Sequence, residues 1–131
     1  MSKIYKILTK EEWKNSNSHG YVKTDLDDKD GFIHCSTSKQ LALTLHLYFK
    51  NETCLVLCEI DEHNLNKSEY FFEKSFSNSR PEQEFPHIYG KLSIEKISKT
   101  WNLNKNAFRI PEEILFELEN DEADDTDIPS H

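Results

Sequence analysis

The sequence predicts an α+β domain of small, twisted, mainly antiparallel sheets, with two helices in its N-terminal half. The predicted elements run strand, helix, strand, helix and then several strands without a third clear helix. This order favours segregated helices and strands over alternating βα units. The chain has three glycines, none at Gly-x-Gly spacing, which excludes the glycine-rich phosphate loops of Rossmann and P-loop domains.

The acidic charge is concentrated at the C-terminus. Residues 112–131 carry nine of the 24 acidic residues and no Lys or Arg, which leaves 15 acids against all 16 bases elsewhere. We therefore predict one α+β domain over residues 1–118 and an acidic, disordered tail over 119–131. The tail would engage a basic partner or only confer solubility. The near-neutral body has no basic stripe, so no nucleic-acid partner is expected.

The cysteines and the N-terminus point to a reducing, cytoplasmic location. An odd count of three cysteines without a secretory signal argues against a disulfide framework. Cys54 and Cys58 lie in an apolar run, and both are expected to be buried in a strand. No Cys-x-x-Cys pair is present, so a structural zinc site is not expected. No segment approaches the ~20 apolar residues of a membrane span, so no membrane is expected as a partner.

Two capping boxes define the predicted helices. After a first strand at Ile4–Leu8, Thr9 and Glu12 have the spacing that caps a helix N-terminus. Thr37 and Gln40 repeat this spacing before a second helix that runs to about Lys50. Residues 21–31 are rich in Asp and are interpreted as a solvated loop. The alternative, a calcium loop, lacks the EF-hand glycine and terminal glutamate.

Strands dominate the second half of the predicted domain. An apolar run at 53–60 is typical of a central strand. Further strands are predicted at 69–73 and 85–89, with a loop between them. The ambiguous segment 101–110 is a candidate final strand, and a short helix is predicted from Pro111 through Leu118.

Two short segments, Gly31–Ser36 and Phe85–Gly90, carry the unusual chemistry. Each places a histidine, His34 or His87, inside a strand that is otherwise apolar. Because strand side chains alternate between faces, His34 shares a face with Ser36. His87 likewise shares a face with Phe85 and Tyr89. We expect the two segments to form a polar, solvent-accessible cleft, although a lone strand histidine is usually structural.

These segments resemble a known family in order and in content. The matching segments are Ile4–Ile7, Asp30–Ser36, Leu55–Ile60, Phe72–Glu73 and Phe85–Gly90. Together they resemble the family catalogued as domain of unknown function 952. The resemblance implies an ADP-ribosyltransferase-like fold, whose members bind NAD in a cleft between two small sheets.

The resemblance also implies roles for single residues. His34 would hydrogen-bond a ribose hydroxyl of NAD, and Tyr89 would stack on the nicotinamide. Glu73 would be the catalytic glutamate that steadies an oxocarbenium-like centre. Arg80 would pair with a pyrophosphate through its planar guanidinium, or is simply a solvated loop residue. The remaining ligand-binding candidates, which lie beside the two histidines, are Ser36, Thr37 and Phe85.

Three functions remain open at this stage. The first is an enzyme that handles NAD or an ADP-ribose-like nucleotide. The second is a general acid–base enzyme that uses His34 and His87 as a pair, which requires the rings within about 10 Å of each other. The third is a non-catalytic domain that binds a small ligand or a protein. A metal held by His34, His87 and Glu73 is not expected, and the sequence does not specify an oligomeric state.

Overall fold

The structure, a computed structural model, describes residues 3–74, 83–104 and 111–116. Its principal strands and helices are β1 Lys3–Thr9, α1 Lys10–His19, α2 Asp25–Asp30, β2 Ile33–His34, α3 Leu41–Tyr48, β3 Cys54–Asp61, β4 Tyr70–Lys74, β5 Glu84–Ile88 and β6 Ile97–Asn104. Residues 112–116 form a further helical segment. None of the helices in these ranges is long and apolar enough to cross a membrane. The predicted Arg80 and the tail 119–131 lie outside the described residues.

The strands form two antiparallel sheets of three strands each, which confirms the predicted α+β class. The first sheet has the order β1-β3-β6 and the second the order β2-β5-β4. The apolar strand β3 is central in the first sheet, as its continuous hydrophobic run predicts. An isolated bridge joins the sheets, where the backbone amides of Tyr5 and Ser36 each donate to the other residue's carbonyl, at 2.7 and 2.8 Å.

Both faces of β1 are buried, because each contributes to a different core. Ile4 and Leu8 pack with Ile33 and Ile88 of the second sheet. The alternate residues of β1 pack with residues of α3, β3 and β6. Lys6 lies between Ile4 and Leu8 in the sequence and is itself buried. A buried ammonium requires a charged partner, and α2 supplies it.

The segment predicted as a loop over residues 21–31 contains a helix, so that prediction is wrong and three helices lie in the N-terminal half. The Thr24 hydroxyl accepts a hydrogen bond from the Asp27 amide at 3.1 Å and caps α2. Gly31 ends the helix with φ +82°, a conformation that glycine adopts without strain. The aspartates of the first turn stabilise the positive end of the helix dipole.

The capping box of α1 forms as the sequence predicts. The Thr9 hydroxyl accepts from the Glu12 amide at 3.0 Å, and the Glu12 carboxylate accepts from the Thr9 amide at 2.9 Å. We expect Thr9→Ala to lower the free energy of unfolding by about 1 kcal/mol, because one helix amide loses its partner. Urea unfolding of the variant checks this value. A change within the error of the parent protein would show that the cap contributes nothing.

The three cysteines differ in exposure, which corrects the prediction for Cys54. Cys54 is exposed because it is the first residue of β3, at the end of the sheet, whereas Cys35 and Cys58 are buried. Burial raises the pKa of both buried thiols to about 12. We expect a thiol reagent to modify Cys54 in the native protein and all three cysteines after unfolding. Rapid labelling of Cys35 or Cys58 in the native protein would contradict their burial.

Candidate functional site

The pairing of β2 with β5 brings His34 and His87 together. The two residues are direct cross-strand partners, so their side chains project from the same face of the second sheet. The ring centroids are 5.5 Å apart and the rings meet edge to face. Phe71 of β4 pairs with His87 from the other side, so the face continues across all three strands.

The two imidazoles differ in their access to solvent. The His34 side chain is 22% exposed, whereas that of His87 is 2% exposed. Phe32 stacks on His87, with centroids 4.1 Å apart, and lies 4.5 Å from the ring of His34. The expectation of two solvent-facing rings therefore fails for His87.

His34 is held by two aspartates of α2. Its Nδ1 lies 2.8 Å from Oδ1 of Asp27, and its Nε2 lies 2.9 Å from Oδ2 of Asp30. The two aspartates are three residues apart, so one face of the helix presents both. Since carboxylates only accept, the imidazolium form of His34 is the one that can donate to both at once.

Asp27 is the buried centre of this network. Lys6 places its Nζ 3.0 Å from Oδ1 and 2.8 Å from Oδ2, and the His34 backbone amide donates to Oδ1 at 3.1 Å. Burial alone would raise the pKa of Asp27. The Lys6 charge and the hydrogen bonds from His34 outweigh burial and lower the pKa to about 2. Lys6 also donates to the His34 carbonyl at 2.8 Å, so one cation contacts both Asp27 and His34.

His87 has a carboxylate partner of its own on β4. Its Nδ1 lies 2.8 Å from Oε1 of Glu73, and the Tyr89 hydroxyl donates to the same oxygen at 2.7 Å. These two hydrogen bonds lower the pKa of Glu73 and keep it ionised. An ionised Glu73 accepts a hydrogen bond from the Nδ1–H group of His87, which leaves the lone pair on Nε2.

Burial lowers the pKa of His87, even though the hydrogen bond to Glu73 acts in the opposite direction. His87 is therefore neutral at pH 7. Its Nε2 is buried and has no hydrogen-bond partner among the described residues. A neutral imidazole with a free Nε2 lone pair is a proton acceptor, and this is the form that a general base requires.

A pocket of about 70 Å³ opens between the two sheets beside this pair. Of the predicted site residues, His34, Ser36, Phe85 and His87 line it. The Ser36 hydroxyl lies 2.7 Å from that of Thr44 on α3. Glu73 and Tyr89 belong to the same sheet face but flank the pair on the side of β4.

Thr37 lies outside the lining of this pocket, directly before the turn that leads into α3. Its backbone amide donates to Oε1 of Gln40 at 3.0 Å, as the second capping box predicts. Arg80 lies outside the described residues, so its contact with a ligand stays a prediction. Within the described residues, no group of three or more His, Cys, Asp or Glu side chains is arranged to hold a metal ion.

Sequence reasoning missed Lys6, Asp27 and Asp30. The available signals were a lysine at an otherwise apolar position of β1 and the Thr24-to-Gly31 spacing of a short capped helix. Neither signal specifies that the two segments meet, because their contact depends on packing between residues 21 apart.

Comparison with known proteins gives the relatives of this chain. Residues 7–100 match the family described as Protein of unknown function (DUF952). No curated protein matches the chain significantly. The chain is similar to the crystal structure of protein CC0527 from Caulobacter crescentus, with 29% identity and a TM-score of 0.69 over 79% of this chain and 87% of that chain. The solution NMR structure of CC0527 gives 30% identity and a TM-score of 0.67 over 79% and 86% of the two chains. The chain therefore belongs to the DUF952 family.

Proposed function

We propose that the protein is an enzyme that performs general acid–base catalysis with His34 and His87. The observation that carries this proposal is the pair of imidazoles 5.5 Å apart, each with a carboxylate at its Nδ1. Their surroundings differ, since one ring contacts two aspartates and is partly exposed, and the other is buried and neutral. Adjacent titratable groups in contrasting environments are suited to opposite roles in proton transfer.

His87 is the base in this proposal and His34 is the acid. The free Nε2 of His87 removes a proton from a substrate hydroxyl or from water. The imidazolium form of His34 donates a proton to the oxygen of the leaving group. Glu73 and Asp27 stabilise and orient the rings through Nδ1, which is the role of the carboxylate in other histidine-based active sites.

The negative charges around the two histidines favour a substrate that is uncharged at its reacting bond. Asp27, Asp30 and Glu73 place three carboxylates within hydrogen-bond distance of the two rings. Among the described side chains that bond to these carboxylates, Lys6 is the permanent cation. A phosphodiester would be repelled more than an uncharged ester or glycoside. We therefore favour transfer or hydrolysis at an uncharged ester or glycosidic bond.

A panel of chromogenic substrates tests the proposal. Uncharged nitrophenyl esters and glycosides and the anionic bis-nitrophenyl phosphate would be assayed between pH 5 and 9. We expect turnover of an uncharged substrate with a bell-shaped dependence of kcat/KM on pH. The matched control is the double variant His34→Asn/His87→Asn. Rates equal to those of this control across the panel would overturn the proposal.

The second candidate is an ADP-ribosyltransferase-like enzyme or binding protein that handles NAD. The position of the pocket favours it, because His34 and Ser36 line a cleft between two three-stranded sheets. Glu73 lies on the same sheet face as the histidines, where it would steady an oxocarbenium-like centre. The pocket itself encloses only about 70 Å³, so most of a dinucleotide would lie across the open sheet face.

Nicotinamide release separates the two candidates. The protein would be incubated with millimolar NAD, and free nicotinamide would be measured by chromatography. Release that Glu73→Gln abolishes would support the NAD candidate. If the protein neither releases nicotinamide nor binds NAD saturably, the NAD candidate is excluded and the acid–base proposal stands.

A further inference from the structure

The pocket beside the histidine pair is lined mainly by apolar side chains. Leu26 of α2 and Tyr48 of α3 belong to its lining and are 43% and 42% exposed, so the pocket is open to solvent on the side of these helices. The buried apolar residues of the lining are Tyr5, Ile7, Cys35 and Phe85. A ligand gains about fourfold in affinity for each CH₂ group that such a pocket removes from water.

The enclosed volume limits the size of the apolar group that can enter. An engineered apolar cavity of about 150 Å³ accepts benzene, whereas this pocket encloses about 70 Å³. Since about half of that volume is available, it accommodates about three carbons of an aliphatic chain. A six-membered ring, whether aromatic or a sugar, is too large for the enclosed part.

The polar side chains of the lining offer little to a charged or polyhydroxylated group. Lys6 is bonded to Asp27 and to the His34 carbonyl. The Ser36 and Thr44 hydroxyls are bonded to each other. A carboxylate or ammonium group would lose its hydration here without gaining an equivalent partner. The hydroxyls of a sugar would likewise exchange hydrogen bonds to water for contact with an apolar wall.

We propose that this pocket binds a short aliphatic chain of about three carbons that belongs to an uncharged ester. The inference rests on the proposed function, and it favours esters over glycosides as the substrate class. His34 and His87 line the same pocket, so a chain that occupies it holds the adjoining ester group beside the histidine pair. The affinity for the chain comes from burial of its CH₂ groups and requires no hydrogen bond.

A series of neutral amides tests the inference on the unmodified protein. Acetamide, propionamide, butyramide and hexanamide differ in chain length, benzamide carries a six-membered ring, and butyrate carries a charge. Each would be titrated while the backbone amide shifts of Ile7, Thr44 and Phe85 are followed.

We expect saturable binding whose affinity rises about fourfold per CH₂ group as far as butyramide and levels off at hexanamide. Benzamide and butyrate should bind more weakly than butyramide. The inference would be overturned by no saturable binding of butyramide, by a continued rise to hexanamide, or by benzamide or butyrate binding as tightly as butyramide.

Phe49→Ala and a matched control test whether this pocket is the binding site. Phe49 lines the pocket at the end of α3 and is half-buried, so its truncation enlarges the pocket. Phe72→Ala makes the same truncation on β4, at a residue that is 44% exposed and outside the lining. Benzamide should bind Phe49→Ala at least as tightly as butyramide does, and Phe72→Ala should keep the preference for butyramide. An unchanged preference in a folded Phe49→Ala would contradict the assignment, and the amide series decides alone if this variant does not fold.

The same ligands separate this inference from the acid–base proposal. Amide binding in the expected order without turnover of any panel substrate would retain the inference and overturn the proposed catalysis. Turnover of a nitrophenyl glycoside in preference to nitrophenyl butyrate would overturn the inference and retain the catalysis. If both are correct, kcat/KM should be higher for nitrophenyl butyrate than for the acetate and the octanoate.

Discussion

Asp27→Asn is expected to lower the free energy of unfolding by about 3 kcal/mol or more at pH 7. The variant leaves Lys6 buried without its anionic partner, and removal of one partner of a buried ion pair typically costs about 3–5 kcal/mol. The Lys6 and Asp27 side chains are only 6% and 4% exposed, so solvent cannot replace the lost charge. Urea unfolding followed by circular dichroism measures the change.

Asp28→Asn is the matched control for this variant. Asp28 is the next residue of α2, and it forms an ion pair with Lys23 in which the Asp28 side chain is 54% exposed. Exposed pairs contribute about 0–1 kcal/mol, so this variant should unfold close to the parent protein. Equal losses for the two variants would show that helix charge, and not the buried network, explains the effect.

The Asp27 network also predicts that the free energy of unfolding decreases at acidic pH. The pKa of Asp27 falls from 3.8 to about 2 in the folded protein, so the unfolded chain binds the proton more readily. The resulting stabilisation, on the order of 2 kcal/mol, is present above pH 3.8 and is lost as the pH falls toward 2. The same titration of Asp27→Asn should show a shallower loss over this interval.

Replacement of His87 by asparagine should reduce kcat/KM on a substrate found in the panel by about 10²–10⁴-fold. The variant cannot accept the substrate proton at the position of Nε2. His34→Asn should cause a loss of similar size through the acid. His46→Asn is the control, because His46 is an exposed residue of α3. Circular dichroism would first establish that each variant is folded.

The pH dependence of any turnover by the unmodified protein tests whether His87 is the base. A base must be unprotonated, and burial lowers the pKa of His87 below its ordinary value of 6.5. Activity should therefore persist below pH 6.5 and fall only as the pH passes through the lowered pKa of His87. An acidic limb centred above 6.5 would contradict the role of the buried ring as the base.

Strands β1, β3, β4 and β5 and two of the helices could be predicted because their signals are local, whereas the final strand β6 begins before the ambiguous segment 101–110. The capping residues Thr9 and Thr37 and the apolar run of β3 each define an element without reference to the rest of the chain. Strand alternation also placed His34 and Ser36 on one face, and both line the pocket. The second sheet's register, which sets His34 against His87, joins residues far apart in sequence and has no local signal.

The partners of the histidines could not be predicted for the same reason. The aspartates of α2 lie in a stretch whose composition is typical of a solvated loop, and the helix has too few apolar residues for a periodic pattern. The burial of Asp27 follows from the position of Lys6 on β1, which is a tertiary contact. Glu73 was identified beside an aromatic segment, but its bond to His87 depends on the pairing of β4 with β5.

The protonation state of His87 tests the central claim most directly. Long-range ¹⁵N–¹H correlation spectra of the labelled protein at pH 7 distinguish the two neutral tautomers from the imidazolium. The account predicts a neutral His87 with its proton on Nδ1 and a free Nε2, and protonation of that ring only below its ordinary pKa of 6.5. A proton on Nε2 at pH 7, in either the other tautomer or the imidazolium, would contradict it.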